Sequence, residues 1–250
     1  MKIVVLGGNG LIGTKTVEIL KNQGHEVVVA STKTGINAVT GQGLAEAFIG
    51  ADAVVDVMNS PSWADDDVME FFKKSTANIL AAEINAGVKH HAALSVVGTA
   101  RLQQSGYFRA KQAQEDLIKE GKVPYTIVQA TQFFEFLGGI ADFGVGGDGK
   151  VHLSTGGLQP IAAADVSAVM AEVATAKPAN ATIEIGGPDR APLCEFVKKY
   201  MEAKQDQREI VARPDANYYG MQLDERSLVP EDNARRTPTK FEDWLCVSVS

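Results

Sequence analysis

Gly7-Gly8-Asn9-Gly10-Leu11-Ile12-Gly13 follows the apolar run Ile3-Val4-Val5-Leu6 and opens an amphipathic stretch. Gly8-x-Gly10-x-x-Gly13 fits the dinucleotide fingerprint, and Gly7-x-x-Gly10-x-x-Gly13 fits its shifted form. Glycine is needed there for a tight turn, for backbone approach to a pyrophosphate and for close helix–sheet packing. A helix start adds unpaired N–H donors and a positive partial charge. An NAD site places an acid after the second strand to hold the ribose 2′-OH. Here that place reads Ala30-Ser31-Thr32-Lys33. Ser31, Thr32 and Lys33 can hold a 2′-phosphate instead, with lysine acting as a point charge, so the spacing favours NADP(H) over NAD(H). The alternative for Lys33 is a solvated loop lysine.

A second constellation lies further on. Tyr107 and Lys111 stand four residues apart, on one face of a predicted helix, with Ser95 upstream in a predicted strand. An ammonium beside a phenol favours the phenolate and lowers its pKa. A tyrosine tuned that way can protonate a carbonyl oxygen as hydride arrives, a serine can orient that oxygen, and the lysine can hold the nicotinamide ribose. The alternative is an ordinary Tyr and Lys on an amphipathic helix.

These residues need a scaffold, and the chain alternates strand and helix patterns. Strands are predicted at 3–6, 27–30, 53–57, 92–97, 125–129 and 182–185. Helices are predicted at 14–22, 43–49, 65–86, 104–120, 164–176 and 193–203, with Asp165 as an N-cap. Continuous apolar strands separated by helices specify an α/β doubly wound parallel sheet covered on both faces. The pattern loosens after Ala130 into a glycine-rich stretch. Residues 1–250 therefore read as a single nucleotide-binding domain, in which 131–160 and 187–250 contribute a smaller substrate-binding lobe. Phe133, Phe134 and Gln132 follow the fifth strand, where such a sheet opens its crevice, and can line an apolar substrate pocket. Plain core is the alternative for the aromatics. Trp63, after the loop 59–62, is a further pocket candidate.

A net charge of −7 argues against a general nucleic-acid binder. Cys194 and Cys246 form neither a disulfide framework nor a metal motif. No apolar run reaches a membrane span and the N-terminus lacks a signal pattern, so a soluble cytoplasmic protein without membrane association is expected. Asp65-Asp66-Asp67 reads as a helix start rather than a metal cluster, and no metal is expected. His90 and His91 are expected in a loop before a strand.

The chain resembles the short-chain dehydrogenase/reductase superfamily, in its atypical NmrA-like, NAD(P)-binding branch. The resemblance rests on 7–13, on Asp56-Val57-Met58-Asn59-Ser60-Pro61-Ser62, on Ala93-Leu94-Ser95-Val96-Val97-Gly98, on Tyr107-Phe108-Arg109-Ala110-Lys111 and on 124–133. It implies a Rossmann domain, an NAD(P) cofactor and a small C-terminal substrate lobe. It puts Ser95, Tyr107 and Lys111 on the superfamily's catalytic positions, and Asn59 and Ser60 along the adenosine and ribose. The resulting expectation is an NADPH-dependent carbonyl reductase acting on a small hydrophobic ketone, aldehyde or quinone. A non-catalytic NADP(H)-sensing regulator is the alternative the same branch offers. Epimerase or dehydratase chemistry with held NAD is a third reading, disfavoured by the missing acid. Homodimerisation is common in the superfamily, but no helix seam for it is legible.

Overall fold

The computed structural model describes residues 1–249. In chain order its main elements are β1 (Lys2–Leu6), α1 (Leu11–Asn22), β2 (Glu26–Ala30), α2 (Leu44–Phe48), β3 (Ala53–Asp56), α3 (Asp65–Ala86), β4 (His90–Val96), α4 (Gly106–Glu120), β5 (Tyr125–Ala130), α5 (Leu137–Phe143), β6 (Val151–Ser154), β7 (Gly157–Leu158), α6 (Ala163–Thr175), β8 (Ala181–Gly186), β9 (Ala191–Pro192), α7 (Leu193–Ala203), β10 (Ile210–Arg213), β11 (Arg235–Arg236) and α8 (Phe241–Val249). Seven strands form the main sheet in the order β11-β8-β5-β4-β3-β1-β2. The pairs β1–β2, β1–β3, β3–β4 and β8–β11 run parallel. This is a Rossmann-type α/β fold.

The register explains why the chemistry collects at one edge. Leu6 pairs with both Ala30 and Asp56, and Asp56 pairs with Ala93. The last residues of β1, β2 and β3 thus form one row, and the chain leaves it as Gly7, Ser31 and Val57. Ser95 stands two residues beyond the row on β4.

Two compact units divide the chain. One comprises residues 1–95, 106–129 and 166–183. Its cores are built by Val4, Leu6, Phe48, Val54 and Ile79, by Val68, Phe72 and Ala110, and by Ala93, Ile118 and Ile127. α3 spans 65–86 as its boundary signals require: three aspartates in the first turn oppose the helix dipole, and Gly87, at φ +73°, caps the end. α4 starts at Gly106 rather than Gln104. A Cβ on Gly106 would lie 2.0 Å from Asp65 Oδ1, so the carboxylate sits directly against the helix's first residue.

The other unit comprises residues 96–105, 130–165 and the described residues from 184 onward. Here Phe134 packs against Phe241 and Trp244 with ring centroids 5.2 and 5.3 Å away, and Phe196 meets Phe241 at 5.3 Å. Asp165 is not an N-cap. It lies inside α6 and accepts the Thr239 N–H and hydroxyl at 3.0 and 2.8 Å.

His90 and His91 are also corrected. They begin β4 and are buried, each with one ring nitrogen bonded to a neighbouring element: His91 Nδ1 meets Glu83 Oε1 at 2.7 Å and His90 Nε2 meets Thr126 Oγ1 at 3.0 Å. Burial, helped by the charge of His91, depresses the His90 pKa to about 4. For His91 burial opposes the charge, but the carboxylate of Glu83 outweighs it and holds the imidazole above its ordinary value. Between about pH 4 and the unfolded value near 6.5, native His90 binds fewer protons than the unfolded chain, so its contribution to stability rises with pH. His90→Gln removes that titration. The rise in melting temperature from pH 4.5 to 6.5, followed by calorimetry, is expected to be smaller in the variant than in the wild type.

Candidate functional site

The turn after β1 is shaped by atoms that are not there. Gly7 has φ +76°, and a Cβ on it would stand 2.9 Å from Val57 O; one on Gly8 would meet Val29 Cγ1 at 3.0 Å. A Cβ on Gly13 would lie 2.2 Å from Gly7 O. The turn closes through Gly10 N–H to Gly7 O at 2.9 Å and is tied to β2 by Gly7 N–H to Ala30 O at 3.0 Å. Gly10 precedes α1 with no side-chain cap, and the first turn of α1 carries no acid. The first amides of the 12-residue helix, at Leu11, Ile12 and Gly13, therefore have no intrahelical acceptor. Small backbone, unpaired donors and a positive helix end fit a pyrophosphate.

Next to it, Asn9 Nδ2 donates to Ser31 Oγ at 2.6 Å, fixing the glycine turn to the end of β2. Thr32–Thr34 then form one turn of 3-10 helix, where Thr34 Oγ1 accepts the Ser31 N–H at 3.0 Å. Lys33 is exposed on this turn. The bonds from Asn9 and Thr34 are invisible in spacing alone, because they depend on how the β2 exit folds back.

Lys111 does something other than expected. Its ammonium is buried and donates to Leu94 O at 2.9 Å and to Gln114 Oε1, and it stands 4.5 Å over the Phe72 ring. Gln114 Nε2 donates in turn to Asp56 Oδ2 at 3.0 Å, while Asp56 Oδ1 accepts the Met58 N–H at 3.0 Å. A buried chain of polar groups therefore runs from the end of β3 to α4. Burial lowers the Lys111 pKa to about 8, against the pull of the Asp56 and Glu115 carboxylates. Ser95 Oγ donates to Glu115 Oε1 at 2.6 Å, an oxygen that also accepts Gln129 Nε2 at 2.7 Å, and Lys119 holds Glu115 Oε2 at 2.9 Å. Gln114 and Glu115 were missed from sequence. Their signal was their position three and four residues after Lys111, on its helix face.

Tyr107 is surrounded by rings: Trp63 at 5.5 Å, Phe72 at 6.2 Å and Phe108 at 5.9 Å between centroids. Its hydroxyl makes no hydrogen bond among the described residues, and burial pushes the phenol up to about 12. The expected lowering by Lys111 is thus corrected: the ammonium is committed to Leu94 O and Gln114, and desolvation is the cause that acts on the phenol. Ser95, Tyr107 and Lys111 occupy neighbouring elements, but their polar atoms do not converge in this structure.

Asn59 Oδ1 accepts the Ser60 N–H at 3.0 Å. Asn59 is exposed and Ser60 buried. In the other unit, Phe133 is half-buried and stacks on Phe136 at 5.0 Å. Gln132 is buried, and its Oε1 has no hydrogen-bond partner among the described residues. Phe134 is corrected from pocket to core, since the Phe241 and Trp244 rings enclose it.

The sequence model of the NAD(P)H-binding family matches residues 7–177, and the chain belongs to that family. Among curated proteins, it is 24% identical over 151 residues to the photosystem II assembly factor Ycf39 of Synechocystis sp. (strain ATCC 27184 / PCC 6803 / Kazusa). That match covers 55% of this chain and 46% of the assembly factor, just under half its length. Among solved structures, a short-chain dehydrogenase/reductase superfamily protein from Agrobacterium tumefaciens with bound NAD superposes with a TM-score of 0.74 at 18% identity, covering 100% of this chain and 96% of that one. The dTDP-4-dehydrorhamnose reductase of Bacillus anthracis str. Ames, in complex with NADP, gives 0.72 at 14%, covering 99% and 98%. The UDP-N-acetylglucosamine 4-epimerase of Bacillus cereus gives 0.72 at 16%, covering 100% and 95%. These likenesses establish the fold. Among the described residues no helix is long and apolar enough to cross a membrane.

Gly13→Ala tests the cofactor turn. The added methyl collides with Gly7 O, so α1 must retreat from β1. NADPH affinity, measured by calorimetry, is expected to fall by more than about tenfold, with a stability loss of roughly 1–3 kcal/mol.

Proposed function

We propose that the chain is an NADPH-dependent oxidoreductase that reduces the carbonyl of a small hydrophobic ketone, aldehyde or quinone. The observation that carries the reading is Tyr107: a phenol with no hydrogen-bond partner among the described residues, 5.5 Å between ring centroids from the exposed Trp63, on the unit that bears the glycine turn. Backbone donors at Leu11, Ile12 and Gly13 bind the pyrophosphate. Asn9 orients Ser31, and Ser31, Thr32 and Lys33 receive a 2′-phosphate, with no acid present to repel it. Asn59 and Ser60 lie along the adenosine and ribose. Reduced nicotinamide supplies the hydride. Tyr107 gives its proton to the carbonyl oxygen, and solvent restores it. The roles of Ser95 and Lys111 are positional: Ser95 ties β4 to Glu115, and Lys111 ties α4 to Leu94 O and, through Gln114, to Asp56.

A second reading is a non-catalytic NADP(H)-sensing regulator. The internal commitment of Ser95 and Lys111 favours it, as does the similarity to an assembly factor. It expects cofactor binding, no turnover, and a protein partner whose affinity differs between NADP+ and NADPH.

The test is NADPH consumption against a panel of ketones, aldehydes and quinones. Tyr107→Phe is expected to lose roughly 100-fold or more in turnover, the usual worth of a general acid, with NADPH affinity within twofold of wild type. Because the phenol sits near 12, the wild-type rate should show no falling limb from its ionisation between pH 7 and 10. Undiminished turnover in Tyr107→Phe would sink the mechanism. For the cofactor preference, Lys33→Glu should weaken NADPH about tenfold and leave NADH nearly unchanged, by the loss of one charge-assisted contact.

A further inference from the structure

Trp63 is 71% exposed, the most exposed aromatic side chain among the described residues. It is nevertheless held in place. In its loop, Asn59 Oδ1 accepts the Ser60 N–H at 3.0 Å, Ser60 Oγ accepts the Ser62 N–H at 3.2 Å and Ser62 Oγ accepts the Ala64 N–H at 3.2 Å. The Ser62 hydroxyl then donates to Asp67 Oδ2 at 2.8 Å, anchoring the loop to the first turn of α3. Short side-chain-to-backbone bonds of this kind pre-form a turn before any ligand arrives. The ring it presents lies 5.5 Å from the Tyr107 ring, with 45° between the planes. Phe72 and Phe108 meet Tyr107 at 75° and 85°, both edge-on. Of these three neighbours Trp63 alone is exposed, with a broad surface open to solvent. Of the carboxylates that follow in sequence, Asp65 is paired with Arg109, whose Nη2 donates to its Oδ2 at 2.6 Å, and Asp67 accepts the Ser62 hydroxyl. An apolar, planar, pre-positioned surface beside the proton donor is suited to a planar partner rather than to a charged or puckered one.

We propose that Trp63 is the substrate-stacking residue of this site and that the substrate is an aryl carbonyl compound, its ring laid on the open indole face and its oxygen turned to the Tyr107 hydroxyl. The inference rests on the reductase reading and names its substrate class. In the step that follows, hydride from the reduced cofactor forms the new C–H bond at the carbonyl carbon. The C=O π pair becomes the O–H bond with the Tyr107 proton, leaving an aryl alcohol and the oxidised cofactor.

Acetophenone and cyclohexyl methyl ketone test this. They share a skeleton and differ in whether the ring is planar. Binding of each to the full chain saturated with NADP+ is measured by calorimetry, and turnover of each with NADPH is measured separately. Wild type is expected to bind acetophenone about five- to tenfold more tightly, toward the upper end of what an aromatic pair contributes. Trp63→Ala is expected to bring the ratio near one while leaving NADP+ affinity unchanged, and Trp63→Phe to keep most of it. Equal affinities in wild type, no binding of either ketone, or an unchanged ratio in Trp63→Ala would overturn the proposal. The two readings fail separately. Preferential binding abolished by Trp63→Ala, without turnover of either ketone, supports the stacking role and counts against the reductase. Turnover of both without preference leaves the reductase standing and removes the stacking role.

Discussion

A Cβ on residue 13 would stand 2.2 Å from Gly7 O, so that position must be left without a side chain. The start of α1 can approach β1 only because of that vacancy, and the rest of the cofactor site follows from the approach. Four residues separate the helix start from the end of β1, whose Leu6 forms a row with Ala30 and Asp56 at the carboxyl edge of the sheet. The partial charge of the first helix amides is worth roughly 0.3–1 kcal/mol to an anion at an exposed helix end and up to about 2 when partly buried. Affinity therefore comes from several donors acting together, which is why the turn must be held as firmly as it is. Gly7 N–H to Ala30 O, Gly10 N–H to Gly7 O and Asn9 to Ser31 supply that hold from three directions.

A second constraint competes with the chemistry. A lysine buried beside Phe72 must spend its donors, because an unpaired buried charge costs several kcal/mol. Lys111 spends them on Leu94 O and Gln114, and Asp56 completes the chain. The same bonds that make α4 a rigid support for Tyr107 withdraw the ammonium from the phenol. The phenol then answers to desolvation alone and stays protonated. On the reductase reading, a neutral phenol can still deliver a proton to an alkoxide, a far stronger base, so the loss of tuning would change the pH dependence without removing the acid.

Legibility in the sequence followed the locality of the forces. α3 and α7 match at both ends, the former because three aspartates and Gly87 mark its limits in the chain itself. The parallel strands were legible as apolar runs between helices. β4 started two residues early because His90 and His91 are polar by type yet find Thr126 and Glu83 across space. α5, amid glycines, and the two-residue strands β7, β9 and β11 have too little periodicity to be read. At the site, the glycine turn was legible because its requirement is steric and contiguous. The direction taken by Lys111 was not, since four-residue spacing puts two side chains on one face without saying which neighbour each prefers. Phe134 shows the same limit: an aromatic after the fifth strand is equally at home in a pocket or against Phe241 and Trp244.

The central claim is that the unpaired amides at the start of α1 are the pyrophosphate site. Amide hydrogen exchange across residues 7–13, with and without saturating NADPH and with adenosine as a control lacking phosphate, tests it most directly. Slowed exchange at 11–13 with NADPH, and none with adenosine, is the result the account predicts. Unchanged exchange there while NADPH is demonstrably bound would contradict it.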